Sequence, residues 1–303
     1  MLPTMEVFSG SADAGSCTVI AQSSVTKEKL HIVDHISRSD SLVLMLGERG
    51  VGKKTFAVHI HRLSERRGKT FVCLHCAVIG GDVSADFLED EVFPFAKGGT
   101  LFFDEVTALP FLLQERLFSI LQQQSFDVRC IASSSVDIEK LALQGSFHSG
   151  LYHRLNVLPL CIPPLRQRTE DIPELAAVFL RAGMAETGKR FDGFSEEAVK
   201  ALCAYSWMGN TAELERCIKR ACFNGKHTVL EKRDIFPSSV PAFDESKPAG
   251  KTLKDVENMF RKRYLVNVLG EHKWNQTETA KVLGIQRTYL SRLIKELDIN
   301  GKE

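Results

Sequence analysis

The sequence predicts an α/β domain, a parallel sheet with flanking helices, followed by an α-helical lid and an all-α helix-turn-helix domain. Three observations carry that expectation. From Leu42 onward, short apolar runs alternate with longer amphipathic segments, the pattern of strand-helix units around a parallel sheet. After Pro163-Pro164 only amphipathic helical spacing continues. Finally, a proline-rich stretch sets off a cationic C-terminal module.

Length and composition bound the reading first. At 303 residues the chain is long enough for two or three units. Hydrophobic and charged fractions of 44% and 25% are those of an ordinary globular protein, which excludes a disordered, collagen-like or disulfide-stapled chain. Apolar runs such as LVLML before Gly47 fall far short of the roughly 20 residues of a membrane helix, so no membrane partner is expected. Eight cysteines without paired spacing, and an N-terminus without a basic stretch leading into an apolar core, point to a reducing cytosol and a cytoplasmic protein.

The net charge of +1 hides a segregation. Residues 251–303 hold eleven Lys or Arg against seven Asp or Glu, which makes that end +4 and leaves −3 for the rest. A cationic tail on a mildly acidic body suits nucleic-acid binding.

The elements follow in order. Residues 1–18 are rich in Ser, Gly and Ala without periodicity and read as a flexible tail, with no sensor domain ahead of Val19. Residues 19–165 form the α/β nucleotide-binding subdomain, with strands expected in SLVLML, TFVCLHCAV, TLFFDEV and DVRCIASSS and helices in FAVHIHRL and LLQERLFSIL. Cys73 and Cys76 have metal-like spacing, but no second pair stands nearby at finger spacing, so a strand with two buried thiols is expected there. Residues 166–236 form the lid, with helices in DIPELAAVFLRAGMAE, SEEAVKALCAY and TAELERCIKRACF. Residues 237–250 are the linker and residues 251–303 the DNA-binding domain.

Two motifs carry chemistry in the first domain. Gly47-Glu48-Arg49-Gly50-Val51-Gly52-Lys53 follows a predicted strand and opens a predicted helix, the context in which GxxxxGK is a phosphate-binding loop. Its glycines turn backbone N–H groups toward phosphate oxygens, the helix N-terminus adds positive charge, and Lys53 reaches the outer phosphates. Lys54 stands where Ser or Thr is usual, with Thr55 one place later. The second motif is Asp104-Glu105 at the end of the strand Thr100–Phe103, the end at which ligands sit in open α/β sheets. Asp104 is expected to hold Mg²⁺ through water, and Glu105 to orient the attacking water in ATP hydrolysis.

The C-terminal module reads as a DNA reader. Leu253, Val256, Phe260, Tyr264, Leu265 and Val268 recur at helical spacing within residues 252–269, a face that could pair with a second copy. Asn275 then caps a short helix with Glu278 three residues on, and Gly284 supplies a left-handed corner. The last helix gathers Leu290, Leu293, Ile294 and Leu297 on one side, which leaves Arg287, Thr288, Tyr289, Ser291, Arg292 and Lys295 for double-stranded DNA. Arg287 is the candidate guanine contact, Thr288 and Tyr289 are assigned base edges or phosphates, and Arg292 and Lys295 phosphates.

Taken together, GERGVGK, GGTLFFDE (98–105), LYHRLNV (151–157), PPLRQRTEDI (163–172), WMGNTAELE (207–215) and the terminal helix-turn-helix resemble the AAA+ enhancer-binding activators of sigma-54 RNA polymerase. The resemblance runs from Val19 to Ile299, and the end of the chain resembles the Fis-type helix-turn-helix of those activators. It implies an AAA+ domain that binds ATP and Mg, Arg154 as a catalytic arginine finger, and RNA polymerase or a related activator as partner. It also implies a homo-oligomer, a hexamer by family likeness, beside the dimer that the apolar face of residues 252–269 allows.

The departures are as informative. The family's GAFTGA loop, which touches the sigma factor, belongs between the segment matching FLEDEVF and that matching FAKGGTLFFDE, yet Phe93-Pro94-Phe95 runs straight through. A second insertion expected between Phe126 and Asp127 is also missing. By position, His75 replaces the asparagine that engages the catalytic glutamate, Ser135 takes the sensor I place, His148 replaces a first arginine finger, and Ala212 replaces the sensor II arginine. These changes imply an ATP-binding DNA regulator unable to contact sigma-54 directly, with weak or absent hydrolysis. The alternatives are an active sigma-54-type ATPase with unconventional coupling and a scaffold or antagonist in mixed rings.

Overall fold

The computed structural model describes residues 5–9, 19–80, 83–123, 125–225, 227–236, 262, 265, 268–269 and 274–297. The chain divides into two units, Met1–Ser238 and Ser239–Glu303.

The larger unit is organised by a six-stranded sheet. Its strands are β1 (Met5–Ser9), β2 (Val43–Leu46), β3 (Thr70–His75), β4 (Thr100–Asp104), β5 (Arg129–Ser134) and β6 (Leu158–Cys161), in the order β1-β3-β4-β5-β2-β6. β1 pairs antiparallel with β3, whereas the other pairings are parallel. Both faces of a parallel sheet are buried, and strand alternation divides the apolar residues between two cores. Leu44, Val72, Leu74, Leu101, Phe103 and Ala132 face one core, and Val43, Met45, Phe71, Phe102 and Ile131 the other.

Helices cover each face because their apolar stripes match it. α1 (Ser24–Ser37) and α2 (Lys53–Leu63) contribute Val33, Ile36, Phe56 and Ile60 to the second core. The first core receives Leu113 and Leu117 from α4 (Phe111–Gln123), Ile138 from α5 (Ile138–Leu143), and Leu151 and Leu155 from α6 (Ser149–Leu155). Each such fully buried aliphatic side chain stabilises the fold by about 1.5–3 kcal/mol. Before β4, a π-helical turn over Leu88–Val92 passes into the short α3 (Phe93–Phe95) and then, through a turn over residues 96–99, into the strand. α4 ends at Gln123 and β5 begins at Arg129.

Two strands differ from the sequence expectation. The 1–18 segment contains β1, whose Met5 is buried in the first core and whose register with β3 runs from Met5↔Leu74 to Ser9↔Thr70. Residues 1–4 and 10–18 lie outside the described residues. β6 is an edge strand not marked out in the sequence, and Pro159 is tolerated there because an edge leaves one side of its backbone unpaired.

The lid comprises α7 (Ile172–Thr187), α8 (Glu196–Ala204), α9 (Asn210–Asn224) and α10 (Lys232–Ile235), joined by a two-stranded parallel pair, β7 (Gly193–Phe194) and β8 (Val229–Leu230). Trp207 is wholly buried at its centre and donates its indole N–H to the Leu202 carbonyl, 2.8 Å away. Asp171, also wholly buried, ties the lid to the start of α1. It accepts hydrogen bonds from the backbone N–H groups of Gln22 and Ser23 at 2.7 Å and from the hydroxyls of Ser23 and Thr26.

In the smaller unit α11 (Gln276–Val282) and α12 (Arg287–Glu296) make the helix-turn-helix. Asn275 caps α11 by accepting from the N–H groups of Thr277 and Glu278, and Gly284 takes φ +66° at the corner. Ala280 and Leu290 form a core with Leu265 and Leu269. Val282 is exposed rather than packed. The linker read at 237–250 and most of the pairing face read at 252–269 lie outside the described residues.

Candidate functional site

The phosphate loop leaves the buried strand β2 at its C-terminal end and enters α2 at Lys53. Gly47, Gly50 and Gly52 have φ of +156°, +76° and +100°, and Gly52 caps α2. Space enforces two of them. A Cβ at Gly47 would stand 2.7 Å from the Ile162 carbonyl oxygen, and one at Gly50 would stand 2.4 Å from that of Gly209. Val51 is buried in the core under the loop, and Arg49 is exposed.

Lys53 is buried, and its ammonium donates to the carbonyls of Gly47 at 2.9 Å and Glu48 at 3.3 Å. It also pairs with Glu105 Oε1 at 2.9 Å. Glu105 follows β4 with φ +58°, a left-handed conformation that costs a side-chain-bearing residue about 1–3 kcal/mol and recurs at functional sites. Its other carboxylate oxygen accepts from both the N–H and the hydroxyl of Ser135, at 2.8 and 2.7 Å. Burial pushes the Glu105 carboxyl up, but the bonds from Lys53 and Ser135 outweigh it and hold the group below its ordinary value. Asp104 accepts from the Ser133 hydroxyl at 3.1 Å and lies 3.3 Å from His75 Nδ1. The arrangement gathers a cation, two carboxylates and loop N–H groups at the C-terminal ends of β2, β4 and β5, the end at which ligands sit in open α/β sheets.

The structure separates other expected members. Lys54 turns away from the loop, where its ammonium pairs with Glu6 and lies 5.2 Å over the Phe8 ring. Thr55 stays in the first turn of α2 beside Gly52. Arg154 donates to the Leu121 carbonyl and contacts none of Lys53, Asp104 or Glu105. His148 caps α6 by accepting from the Leu151 N–H and packs against Phe111 and Phe118. His75 engages Asp104 rather than Glu105.

A clamp on the loop from the lid was not evident in the sequence. Arg166 grips both oxygens of Glu48 at 2.8 and 2.6 Å, and Asn210 donates to Glu48 and to the Arg49 carbonyl. Thr211 Oγ1 and Ala212 N both donate to the Gly50 carbonyl. Arg168 donates to that of Val51 at 2.6 Å. Hydrogen bonds from Arg166 and then Asn210 hold the Glu48 carboxyl down at about 2. Within the string WMGNTAELE, the one available signal was an asparagine able to adopt the φ of +55° that Asn210 shows.

In the helix-turn-helix, Arg287, Thr288, Tyr289, Arg292 and Lys295 are all exposed along α12. Ser291 is the exception among the expected contacts, because its hydroxyl donates to Gln276 and locks the two helices together. The Arg292 guanidinium stacks 5.1 Å over the Tyr289 ring and pairs with Glu296 at 3.8 Å.

Family profiles cover these elements in the same order. The Sigma-54 interaction domain matches residues 20–165, the AAA+ ATPase lid domain residues 166–252, and the Fis-family bacterial regulatory protein profile residues 254–297. The DNA-binding transcriptional regulator NtrC of Proteus hauseri is 30% identical over 335 residues, covering 93% of this chain and 70% of that protein. The chain belongs to the sigma-54 activator family.

A second relative, the formate hydrogenlyase transcriptional activator FhlA of Escherichia coli, is 33% identical over 93% of this chain, which spans 44% of that relative's length. Among solved structures, NtrX from Brucella abortus in complex with ATP aligns with a TM-score of 0.67 at 25% identity, over 93% of this chain and 70% of that one. The RuvB branch migration motor of Thermotoga maritima shares the fold at a TM-score of 0.53 and 17% identity. As in the family profiles, the sheet domain is an AAA+ P-loop domain, followed by its lid and a Fis-type DNA-binding helix-turn-helix. No helix among the described residues is long and apolar enough to cross a membrane.

Proposed function

We propose that this sigma-54 family member is an ATP-binding, sequence-specific transcription regulator that holds DNA through α12 and does not contact sigma-54 directly. The observation that carries the reading is the run from Leu88–Val92 through Phe93–Phe95 and a turn over residues 96–99 into β4, at the position where the family resemblance expects the GAFTGA loop. Nucleotide then tunes assembly or DNA affinity instead of driving polymerase.

Nucleotide binding is supported by the loop geometry and by the similar NtrX structure solved with ATP. Lys53, paired with the Glu105 carboxylate and two carbonyls, would hold the outer phosphate oxygens of the triphosphate. Asp104, steadied by Ser133, would hold magnesium, and Ser135 would keep Glu105 aimed at the attacking water. Magnesium bound with the nucleotide neutralises charge developing on the transferred phosphoryl group. Arg154 serves a neighbouring subunit of a homo-oligomer, a role that requires it to leave the Leu121 carbonyl. Loss of an arginine finger costs about 10³–10⁵ in rate, and His148, occupied as a helix cap, leaves Arg154 without its companion.

The test is open-complex formation on a sigma-54 promoter with purified chain. No ATP-dependent open complex is expected, and robust opening would overturn the reading. A second reading, an active ATPase of unconventional coupling, draws on the Lys53–Glu105–Ser135 arrangement. Steady-state phosphate release above that of Glu105→Gln would favour it, and release equal to that variant would remove it.

A further inference from the structure

Cys73 and His75 stand two residues apart on β3, so both leave the same face of the sheet. Register sets Glu6 of β1 opposite Cys73 and Asp104 of β4 opposite His75. Three strands thereby bring a thiol, an imidazole and two carboxylates together. His75 Nδ1 is 3.3 Å from Asp104 Oδ2, and His75 Nε2 is 2.9 Å from Glu6 Oε1 and 3.9 Å from Cys73 Sγ. One donor atom from each of Cys73, His75 and Asp104 lies within 4.8 Å of the other two. Cys76, three residues from Cys73, faces the opposite core and takes no part.

We propose that Cys73, His75 and Asp104 form a binding site for a transition-metal dication of the zinc class, with Glu6 orienting the imidazole. Thiolate, imidazole and carboxylate together are a donor set for zinc and its chemical neighbours, whereas magnesium and calcium take oxygen ligands. Metal bonds of about 2.0–2.3 Å in a tetrahedron separate donor atoms by roughly 3.3–3.7 Å, so with Nδ1 as the ligating nitrogen Asp104 already stands at that spacing, while Cys73 Sγ, which lies 3.9 Å from the opposite nitrogen Nε2, must shift toward Nδ1. A carboxylate on the second imidazole nitrogen is the usual outer partner of a metal-bound histidine. Charge also balances. Thiolate and Asp104 offset the dication, while Lys54 neutralises Glu6.

Binding converts the Cys73 thiol and the dication into a metal thiolate and a proton released to water. Burial holds the free thiol up at about 12, so without metal it is an inert apolar group. With three protein ligands, the fourth position is left to water. The site draws on Asp104, to which the proposed function assigns magnesium. If that assignment holds, the metal and MgATP compete.

The test titrates the full chain with Co²⁺ and then displaces it with Zn²⁺. One equivalent should bind with a thiolate-to-cobalt charge-transfer band and tetrahedral visible bands. The band should vanish in Cys73→Ala, and affinity should fall at least 10-fold in His75→Gln and about 10–100-fold in Glu6→Gln. Cys161→Ser, which removes an exposed thiol, should leave it unchanged. Circular dichroism and melting establish that each variant is folded. If Cys73→Ala fails to fold, His75→Gln carries the decision at a half-buried position. A band that survives Cys73→Ala, an unchanged affinity in folded His75→Gln, or no band in the wild type would overturn the site. MgATP binding without any cobalt band removes the metal site and keeps the nucleotide reading.

Discussion

Replacing Gly50 with alanine should drive the lid off the phosphate loop. At φ +76° a non-glycine residue costs about 1–2 kcal/mol. The added Cβ would also sit 2.4 Å from the Gly209 carbonyl oxygen, a backbone atom that no rotamer change can move. The start of α9 must withdraw, and the bonds from Thr211 Oγ1 and Ala212 N to Gly50 go with it, at about 0.5–1.5 kcal/mol each. The sum is about 2–5 kcal/mol, or roughly 5–15 °C in Tm for a unit of this size. Two controls separate the causes. Gly98 has φ +73° with nothing near its Cβ position, so alanine there reads the backbone cost alone. Gly68 has neither feature, and its alanine variant should stay within about 0.5 kcal/mol of wild type. The assay is calorimetric melting of the three variants. If Gly50→Ala melts with Gly98→Ala, the lid does not press on the loop and the reasoning fails.

Asp171→Ala should destabilise the larger unit by about 3–5 kcal/mol in urea unfolding, because it strips a wholly buried acceptor from four donors around the start of α1. A loss under about 1 kcal/mol would show that Ser23 and Thr26 find other partners. The Glu48 carboxyl lies at about 2 against an ordinary 4.5, so the stability it contributes is fully present above pH 4.5 and is lost as pH falls through about 2. Glu48→Gln should therefore lower Tm at neutral pH, where the contribution is fully present, and flatten the acid limb of the Tm–pH curve in that window; an unaltered acid slope contradicts the clamp. In DNA titrations, Arg287→Ala should cost about 1–3 kcal/mol at the preferred site and relax specificity there, whereas Lys295→Ala should weaken all sequences alike and lower the salt slope by about one. Equal losses on preferred and random DNA for Arg287→Ala would reassign it to phosphate contact.

Local signals made much of this legible in the sequence. Glycine spacing before Lys53, the acidic pair after Thr100–Phe103, the helical periodicity of α7 to α9 and the Asn275 cap all act within one element. The misses are long-range or at edges. β1 is five residues long with Glu6 as its second residue, and only its pairing with β3, more than sixty positions away, makes it a strand. β6 contains Pro159, which argues against a strand unless the strand is known to lie at an edge. The lid clamp depends on Arg166 and Asn210 meeting Glu48 from positions more than a hundred residues on, and polar residues carry no periodic trace of such partners. The CLHC spacing drew notice to Cys76, yet strand alternation sends that thiol to the opposite face and leaves Cys73 with His75.

The most direct measurement is the affinity of the full chain for its preferred duplex, read by fluorescence anisotropy with and without MgATP, beside Lys53→Ala. Tight, salt-sensitive binding that shifts with MgATP in the wild type and not in Lys53→Ala is the predicted result. Indifference of the wild type to nucleotide, or no grip on DNA even at low salt, would contradict the account.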